Sequence, residues 1–359
     1  MIIKLGEVAS FVNGYAFKPS DWSDNGMPII RIQDLTGNSY KMNRYNGDIE
    51  QKYKVQDGDV LISWSASLGV YVWHGENAVL NQHIFKVVFD KTDVSKDYFV
   101  YQIEYRLGNA ASEAHGATMK HLTKSVFNAL PFYLPKKEEQ EKIAKVLNKI
   151  TELTNKTRKQ AKLLDDIIKS RFIEMFGDMK LNKRGWKLKS FEELTYLITD
   201  GEHATPKRTD KGIYLLSARN ILNHSLQLKD VDYINEKEYD RIAKRIIPQE
   251  GDILISCSGT VGRCCSVPSG FHFQMVRSVA LIRFKEYINP IFAEYMITSD
   301  YLQEQINSSK TVSSQANLFQ GKIRTLKGFV PPIEMQNEFS VFVHKIDKSK
   351  HFCEMEVAA

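Results

Sequence analysis

The sequence predicts an α+β fold in which two similar mixed α/β domains are joined by long antiparallel, coiled-coil-like helices, with an internal pseudo-two-fold repeat. Three observations carry this prediction: one uninterrupted, apolar-striped helix near the middle of the chain, blocks that recur in order on both sides of it, and a second striped helix at the C-terminal end. The predicted parts are a first domain at 1–135, a central helix at 136–180, a second domain at 181–331 and a C-terminal helix at 332–359.

The central helix is predicted from about Glu138 to Phe176. Apolar residues recur there at steps of three and four, which gives a stripe wide enough to bury against another helix. Pro135 precedes its first turn and Gly177 suits its C-cap. At 1.5 Å per residue such a helix spans roughly 60 Å, more than a domain core requires, so we interpret it as a spacer. The stripe consists of Ile143, Val146, Leu147, Ile150, Leu153, Leu164, Ile167 and Ile168.

Blocks of the first domain return in the same order after the central helix. Residues 30–35 are echoed by 216–221, 55–63 by 248–256, 82–89 by 277–284, and 134–140 by 330–336. The offset drifts from 186 to 196, as small loop insertions produce, while the order is kept. This pattern indicates an internal duplication.

The C-terminal helix repeats the apolar stripe of the central one. With an offset of 196, the first apolar positions of the central helix fall on Phe339, Phe342, Val343 and Ile346. Two such helices bury their stripes when they pack antiparallel, which relates the two halves of the chain by an approximate two-fold rotation. In that arrangement we expect Ser340 to lie near Leu164.

The composition is that of a folded chain from a reducing compartment. A length of 359 residues with 43% hydrophobic and 26% charged residues fits two globular domains rather than disorder. No apolar run approaches the about 20 residues of a membrane span, and no signal peptide is recognisable. The four cysteines form no CxxC pair, so we expect no structural zinc and predict a cytoplasmic location.

The positive charge is concentrated in one region. Residues 136–184 contain 14 Lys or Arg and 8 Asp or Glu, and this excess equals the net charge of +6 of the whole chain. A nucleic-acid surface on either domain must therefore be local rather than global.

No pattern of catalytic residues is present in the sequence. Asn289 and Pro290 resemble the start of the Asn-Pro-Pro-Tyr/Phe tetrapeptide of amino-methyltransferases, but the second proline is missing and the pair is typical of a helix N-cap. The glycines at 259 and 262 lack the lysine of a phosphate-binding loop. The nine histidines show no metal-ligand spacing, so we predict neither a catalytic residue nor a metal site.

Polar and basic residues on the loops between predicted strands are the candidates for contact with DNA. Arg can read guanine and Gln or Asn can read adenine through two hydrogen bonds each, whereas Lys, Ser and Thr often hold phosphates. The candidates in the first domain are Tyr15, Lys18, Ser63, Ser65, Ser67, Gln82, His83, Thr118, Lys120 and His121. Those in the second domain are His203, Thr205, Lys207, Arg208, Arg219, Asn220, Ser258, Thr260, Arg263, Gln274, Arg277, Ser314, Gln315 and Asn317. Trp64 is interpreted as a core residue.

The chain resembles the specificity (S) subunit of type I restriction-modification systems. The resemblance rests on Leu134-Pro135 with Glu139-Gln140, on residues 170–177 at the end of the central helix, on residues 200–206, and on the paired Gly-Asp-(Val/Ile)-Leu-Ile-Ser blocks at 58–63 and 251–256. Each motif is weak alone, and their order and duplication make the match specific. The likeness covers essentially the whole length.

The resemblance implies a non-catalytic subunit with two target-recognition domains that binds double-stranded DNA. Its partners would be methyltransferase (M) subunits and restriction (R) subunits, and it would direct adenine methylation or restriction at an asymmetric bipartite target. No cofactor is expected in this chain; S-adenosylmethionine, ATP and Mg²⁺ would be bound by the partner subunits. The predicted C-terminal helix is shorter than the central one, which is a departure from the family pattern.

Two other functions are compatible with parts of the pattern. A duplicated scaffold that binds only proteins would show no salt-sensitive DNA binding, unlike a protein that contacts phosphates. A methyltransferase fused to its own recognition domains would need a glycine-rich cofactor loop after a strand, and the sequence has none.

Overall fold

The computed structural model of the protein describes residues 1–65, 67–113, 124–308 and 317–358, apart from the side chains of 109–113 and 352–358. The chain divides into two compact units, which we call unit 1 (Met1–Asn155) and unit 2 (Lys156–Ala359). Each unit has its own apolar core. No helix in the described ranges is both long enough and apolar enough to traverse a lipid bilayer.

Unit 1 begins with short strands and ends in a long helix. Its strands are β1 Ile2–Lys4, β2 Ser10–Asn13, β3 Met27–Ile30, β4 Arg44–Tyr45, β5 Lys54–Val55, β6 Val60–Ser63, β7 Gly69–Val72, β8 Ala78–Leu80, β9 Ile84–Val88 and β10 Pro131–Tyr133. Its helices are α1 Ile32–Leu35, α2 Lys96–Glu113 and α3 Lys124–Ala129, and α4 Lys137–Phe176 begins in this unit. Short 3₁₀ turns lie at Leu5–Glu7, Pro19–Asp21 and Gln51–Tyr53.

Unit 1 contains two four-stranded sheets, and β6 of the first sheet also packs against residues of the second. The first sheet has the order β2-β9-β6-β7, with all neighbours antiparallel, and the second has the order β4-β3-β8-β5, with β3 and β8 parallel. Because successive side chains of a strand point to opposite faces, Val60 and Ile62 enter the core against α2 while Leu61 enters the core of the second sheet. Burial on both faces explains the continuous apolar run in this block.

Unit 2 contains the corresponding elements and an additional hairpin. Its strands are β11 Lys187–Ser190, β12 Thr195–Asp200, β13 Arg208–Thr209, β14 Ile213–Leu216, β15 Ile221–Leu222, β16 Ser225–Leu226, β17 Asp232–Ile234, β18 Ile253–Ser256, β19 Cys264–Ser266, β20 Phe273–Met275, β21 Val279–Phe284 and β22 Lys327–Val330. Its helices are α5 Phe191–Leu194, α6 Glu236–Ala243, α7 Pro290–Thr298, α8 Asp300–Ser308, α9 Gln320–Thr325 and α10 Ile333–Ala358, with a 3₁₀ turn at Ala218–Asn220.

The sheets of unit 2 confirm the predicted duplication. The order β12-β21-β18-β19 reproduces the first sheet of unit 1, and the parallel pair β14–β20 reproduces β3–β8. As in unit 1, the residues of the central strand alternate between two cores, with Ile253 and Ile255 in one and Leu254 in the other. The small sheets β1–β10 and β11–β22 hold the base of the α/β domain of each unit next to the helix that follows it.

Within unit 2 the end of α4 packs antiparallel against α10. Phe172 and Phe176 contact Phe339 with ring centroids 5.3 and 5.6 Å apart. Arg171 pairs with Glu338, and Lys350 pairs with Asp165 at 2.6 Å, so the residue number rises along one helix as it falls along the other. The predicted antiparallel sense is confirmed. The predicted neighbourhood of Ser340 and Leu164 is wrong, because Phe339 packs about two turns further along α4.

The predicted pairing stripe is buried over only part of its length. Ile168, Phe339 and Val343 belong to the core of unit 2, and Phe342 and Ile346 are partly buried against it. Leu164 and Leu147 are half-buried, and Ile143 packs against the core of unit 1. Val146, Ile150, Leu153 and Ile167 are 45–59% exposed, so the expectation that they are buried against another helix is wrong in this structure.

The predicted C-cap of α4 is confirmed at Gly177. This residue has a φ of 81°, in the region that favours glycine, and its N–H donates to the carbonyl of Ile173 at 2.7 Å.

A buried glutamine fixes the α/β domain of each unit to the helix that follows it. In unit 1 the side-chain oxygen of Gln140 accepts the N–H of Ser95 at 2.8 Å, and its nitrogen donates to the carbonyl of Pro135 at 2.9 Å. In unit 2 Gln336 accepts the N–H of Asn289 at 2.9 Å and donates to the carbonyls of Pro331 and Tyr287. We call these two arrangements the glutamine clamps.

Replacing Gln336 by leucine is expected to destabilise unit 2 by about 2–3 kcal/mol. The substitution leaves a buried N–H and two carbonyls without their partner, which costs more than the lost bonds contribute. Urea unfolding of the whole chain measures the change. The matched control is Gln160→Leu on the exposed face of α4, where we expect about 0.5 kcal/mol or less. Equal effects of the two substitutions would contradict the clamp.

Candidate nucleic-acid interface

In both units the backbone passes very close to a neighbouring turn as it leaves the first strand of the antiparallel sheet, β2 in unit 1 and β12 in unit 2. We call this place the crossing. The N–H of Gly14 donates to the carbonyl of Ile84 at 3.1 Å, and the N–H of Tyr15 donates to that of Leu80 at 2.7 Å. A Cβ on Gly14 would lie 2.2 Å from the carbonyl oxygen of Asn81. Only glycine fits so close to another backbone. The crossing therefore holds the following loop directly beside the β8–β9 turn.

The crossing of unit 2 has the same geometry. The N–H of Gly201 donates to the carbonyl of Val279 at 2.9 Å, and that of Glu202 donates to Met275 at 2.8 Å. A Cβ on Gly201 would lie 2.4 Å from the carbonyl oxygen of Met275 and 2.5 Å from that of Val276. Gly14 and Gly201 therefore occupy equivalent places for the same steric reason, since a Cβ at either one would clash with backbone atoms.

The turn beside each crossing is a four-residue β-turn. The N–H of Ile84 donates to the carbonyl of Asn81 at 3.2 Å, which closes the β8–β9 turn. In the β20–β21 turn the N–H of Val279 donates to the carbonyl of Val276 at 3.0 Å. The first central residues, Gln82 and Arg277, are exposed.

A third loop follows the central strand and is fastened to the turn. In unit 1 the N–H of Trp64 donates to the carbonyl of His83 at 3.4 Å, and in unit 2 the N–H of Cys257 donates to that of Ser278 at 2.8 Å. The structure therefore places the predicted loops at 15–18, 63–67 and 82–83 next to one another at one end of the sheet. It does the same for 202–208, 256–263 and 277–278.

Part of the last predicted loop joins the cluster in unit 2. Asn317 forms a β-bridge with Ser258, and the N–H of Leu318 donates to the carbonyl of Cys257 at 2.9 Å. The other residues predicted to contact DNA from the last loop of each unit lie outside the described residues. They are Thr118, Lys120, His121, Ser314 and Gln315.

Several predicted contacts are buried and serve the fold instead. The hydroxyl of Ser63 donates to the carbonyl of Ser67, and that of Ser256 donates to Thr260 at 2.6 Å, so this serine shapes the loop in both units. Both serines are fully buried, and Ser65 is only 6% exposed. The expectation that Ser63 and Ser65 face DNA is therefore wrong in this structure. Ser67 and Thr260 lie on the exposed part of the loop.

Asn220 and Gln274 are also removed from the surface. Both are fully buried, and the amide nitrogen of Asn220 donates to the carbonyls of Gln227 and Asp230, which fixes the loop that follows Ala218–Asn220. The nitrogen of Gln274 donates to the carbonyl of Ile246 at 3.1 Å. Neither amide is available to a base, because its polar atoms face the interior.

The loop after the unit 2 crossing is held by a charged cluster that the sequence did not reveal. His203 Nε2 lies 2.7 Å from Asp200 Oδ2, and Arg245 donates to Asp200 Oδ1 at 2.8 Å. Gln320 donates to the same carboxylate oxygen. Although burial opposes ionisation, these hydrogen bonds hold the pKa of the Asp200 carboxyl below its usual range. Arg245 lies in no motif, so only the fold could identify it.

Two predicted arginines are tied to one acid. Asp232 accepts Arg208 Nε at 2.9 Å and pairs with Arg219 Nη2 at 3.0 Å, and nearly half of each arginine side chain remains exposed. Because Asp232 holds both guanidinium groups in place, Arg208 and Arg219 can offer only their remaining N–H groups to a ligand. Thr205 and Lys207 are exposed, and Arg263 is half-exposed.

The exposed ring of Tyr15 dominates the corresponding loop of unit 1. It is 40% exposed and packs edge-on against Phe17 and Tyr53, with centroids 4.9 and 5.5 Å away. Lys18, three residues further along the chain, is exposed, and so is His83 in the β8–β9 turn. Trp64 stacks on Phe85 at 5.7 Å as part of the core surroundings, in agreement with its interpretation as a core residue.

The two loop clusters thus share a backbone but differ in their side chains. Unit 1 presents a tyrosine, a glutamine, a lysine and a histidine, whereas unit 2 presents mainly arginine and lysine beside one histidine. Such groups suit hydrogen bonding to phosphates and to base edges. In the described ranges no group of three or more His, Cys, Asp or Glu side chains is placed to hold a metal ion.

The family model for the type I restriction modification DNA specificity domain matches this chain twice, at residues 1–164 and 183–352. The chain belongs to this family. The two matches coincide with the two halves of the duplication, so each loop cluster belongs to one copy of the DNA specificity domain. The chain is therefore a DNA specificity subunit, and members of this family are non-catalytic.

Similar proteins and structures agree with the membership in this specificity family. The chain is 25% identical over 368 aligned residues to the type I restriction enzyme EcoBI specificity subunit of Escherichia coli, covering 94% of this chain and 77% of that protein. It is 19% identical over 315 residues to the MjaVIII specificity subunit of Methanocaldococcus jannaschii, covering 82% and 73%.

The fold of this specificity subunit is also found in solved structures. It is similar to the type I S subunit from M. genitalium, with a TM-score of 0.57, 14% identity, and coverage of 100% of this chain and 92% of that one. A chain from a study of complex assembly and conformational transition of the type I system gives a TM-score of 0.50 at 14% identity, with coverage of 100% and 92%.

Proposed function

We propose that this chain reads an asymmetric, bipartite DNA target, with one half-site bound by the loop cluster of each unit. The observation that carries this proposal is the repetition of one backbone arrangement with different side chains. Equivalent crossings and turns give both units the same way of presenting side chains. Because those side chains differ, the two half-sites should differ in sequence.

The chain itself would supply recognition and its partners the chemistry. We propose that methyltransferase subunits methylate adenine at the target and that restriction subunits act there in the absence of methylation. The S-adenosylmethionine, ATP and Mg²⁺ that these reactions use would be held by the partners. The relatives named as specificity subunits of type I restriction enzymes support this division of labour. A cytoplasmic location is part of the same proposal, because the substrate is chromosomal or invading DNA.

The exposed and half-exposed members of the predicted set are proposed as the DNA-contacting residues. Arg277, Arg263 and Lys207 would act in unit 2, and Gln82 and Lys18 in unit 1. The others proposed from the described surface are Tyr15, Ser67, His83, His203, Thr205, Arg208, Arg219, Ser258, Thr260 and Asn317. Lysine and arginine contacts to phosphates should make the binding salt-dependent. Each contact removed should reduce the slope of the logarithm of the binding constant against the logarithm of the salt concentration by about one unit.

Base-resolution mapping of adenine methylation tests the proposal. The chain is co-expressed with a cognate methyltransferase subunit in cells that lack other adenine methylation, and the genome is sequenced with detection of the methyl group. We expect one split motif with two different halves and a gap of constant length. Methylation of a symmetric or continuous motif would contradict the two-half-site proposal. The control is the methyltransferase subunit expressed alone, which should leave the motif unmethylated.

A further inference from the structure

The β8–β9 turn and the β20–β21 turn are the same structural position in the two units. Each lies beside its crossing through an isolated parallel bridge, Tyr15 with Asn81 in unit 1 and Glu202 with Val276 in unit 2. The residue after the bridged one is Gln82 in the first turn and Arg277 in the second. A fold that was duplicated thus carries a neutral amide at one copy of this position and a guanidinium at the other.

Backbone hydrogen bonds hold both turns from several sides. In unit 1 the N–H of Asn81 donates to the carbonyl of Ile30 at 3.1 Å, and the carbonyl of His83 accepts the N–H of Trp64. These bonds are additional to the one that closes the turn. A side chain on such a turn starts from a fixed Cα position, which lowers the entropy lost when it binds.

The turn of unit 2 is held in the same way. The N–H of Val276 donates to the carbonyl of Leu216 at 2.9 Å, and the N–H of Arg277 itself donates to the carbonyl of Glu202 at 3.0 Å. The carbonyl of Ser278 accepts the N–H of Cys257 at 2.8 Å. The backbone of Arg277 is therefore fixed while its side chain projects from the surface.

Neither side chain is engaged within the described part of the chain. Gln82 and Arg277 are exposed, and no hydrogen bond or ion pair of their side chains is formed with a described residue. The carboxylate of Glu202 pairs with Arg241 at 3.5 Å and accepts the N–H of Ala204 at 2.9 Å instead of binding Arg277. The side-chain polar groups of Gln82 and Arg277 are thus free for a ligand.

The chemistry of the pair favours bases over phosphates as that ligand. A phosphate is held best by a cation, and a neutral glutamine at the equivalent position of unit 1 is a poor substitute. Glutamine and arginine instead share planar groups that form two parallel hydrogen bonds with a purine edge in the major groove. Glutamine matches N6 and N7 of adenine, and arginine matches O6 and N7 of guanine.

We propose that Gln82 and Arg277 are equivalent base-reading residues, with Gln82 specifying an A·T pair in one half-site and Arg277 a G·C pair in the other. This proposal rests on the proposed function, since it names which residue of each loop cluster determines a base. It also explains how a duplicated fold obtains two different half-sites from one arrangement of backbone.

The test compares the methylation motifs of Arg277→Gln and Gln82→Arg with that of the natural chain in the same mapping experiment. In Arg277→Gln, the preference for G·C over the other base pairs at one position of one half-motif should fall by about tenfold or more. The other half-motif should be unchanged. In Gln82→Arg the change should fall on one A·T position of the opposite half-motif. Lys187→Gln, which removes one positive charge on β11, is the matched control and should keep the whole motif.

Arg277→Lys separates base reading from phosphate binding. Lysine keeps the positive charge and loses the planar, two-pronged geometry, so the discrimination of G·C from the other base pairs should weaken. If Arg277→Lys keeps the motif and Arg277→Gln only lowers methylation equally at every site, Arg277 is a phosphate contact and the proposal is overturned. Changes in both half-motifs from one substitution would overturn it as well. Failure of the proposed function is distinct, because the natural chain would then give no split motif.

Discussion

Replacing Gly201 by alanine is expected to remove recognition of the unit 2 half-site and to destabilise unit 2 by about 3 kcal/mol. The new Cβ would lie 2.4 Å from the carbonyl oxygen of Met275 and 2.5 Å from that of Val276. Both obstacles are backbone atoms, so no side-chain rotation relieves the clash, and overpacking of this kind costs about 1–3 kcal/mol or more. The crossing must move, and the β20–β21 turn moves with it.

Two measurements check this expectation. Hydrogen exchange of β20 and β21 reports local stability, and methylation mapping reports which half-motif is lost. The matched control is Gly321→Ala on α9, where an added Cβ meets nothing within 4 Å. Because alanine favours a helix over glycine, this control should be neutral or slightly stabilising. If both variants behave like the natural chain, the steric account of the crossing is wrong.

Replacing Asp252 by asparagine is expected to be the most destabilising charge change, at about 3 kcal/mol. Asp252 is 2% exposed and binds Arg283 through two hydrogen bonds of 2.7 Å, while also accepting the N–H of Gln249 at 2.8 Å. Asparagine keeps the shape but leaves a partly buried guanidinium without a counter-charge, and breaking one side of such a pair costs about 3–5 kcal/mol. We place the value at the lower end because one quarter of the Arg283 side chain is exposed.

The duplicate position supplies the control for this variant. Asp59 accepts the N–H of Gln56 at 2.9 Å in the same turn, but Val88 occupies the strand position that Arg283 has in unit 2. Asp59→Asn should therefore cost about 1 kcal/mol or less, because only a turn hydrogen bond is altered. Urea unfolding with hydrogen exchange of β18 and β6 separates the two units. A similar loss in both variants would show that the turn, not the ion pair, is the source of stability.

The sequence was sufficient to predict the duplicated architecture because the buried strands impose a local pattern. Residues 60–62 and 253–255 are apolar without interruption, since each strand is covered on both faces. The long helix was visible for a similar reason, through its periodic stripe. Which residues of α10 meet α4 was not visible. That register depends on aromatic packing around Phe172, Phe292 and Phe339, and several spacings of the two stripes are equally regular.

Polar residues near predicted turns were harder to interpret. Ser63, Asn220 and Gln274 have the residue types of DNA contacts, but their partners are carbonyl oxygens of neighbouring loops. A sequence does not show whether a polar side chain bonds inward to backbone or outward to a ligand. Gln82 and Arg277 were placed correctly at equivalent positions by the repeat alone, because the strands on both sides of them anchor the alignment.

The glutamine clamps have a consequence for how such chains can be recombined. Each clamp takes only main-chain groups from the recognition domain: the N–H before α2 or α7, the carbonyl of Pro135 or Pro331, and in unit 2 also that of Tyr287. Main-chain groups are common to all residues except for the N–H of proline. Through its clamp each helix therefore recognises the main chain of a domain end and not its side chains. A recognition domain of foreign sequence therefore keeps the clamp when it is grafted onto the same helix, provided that its end has this shape.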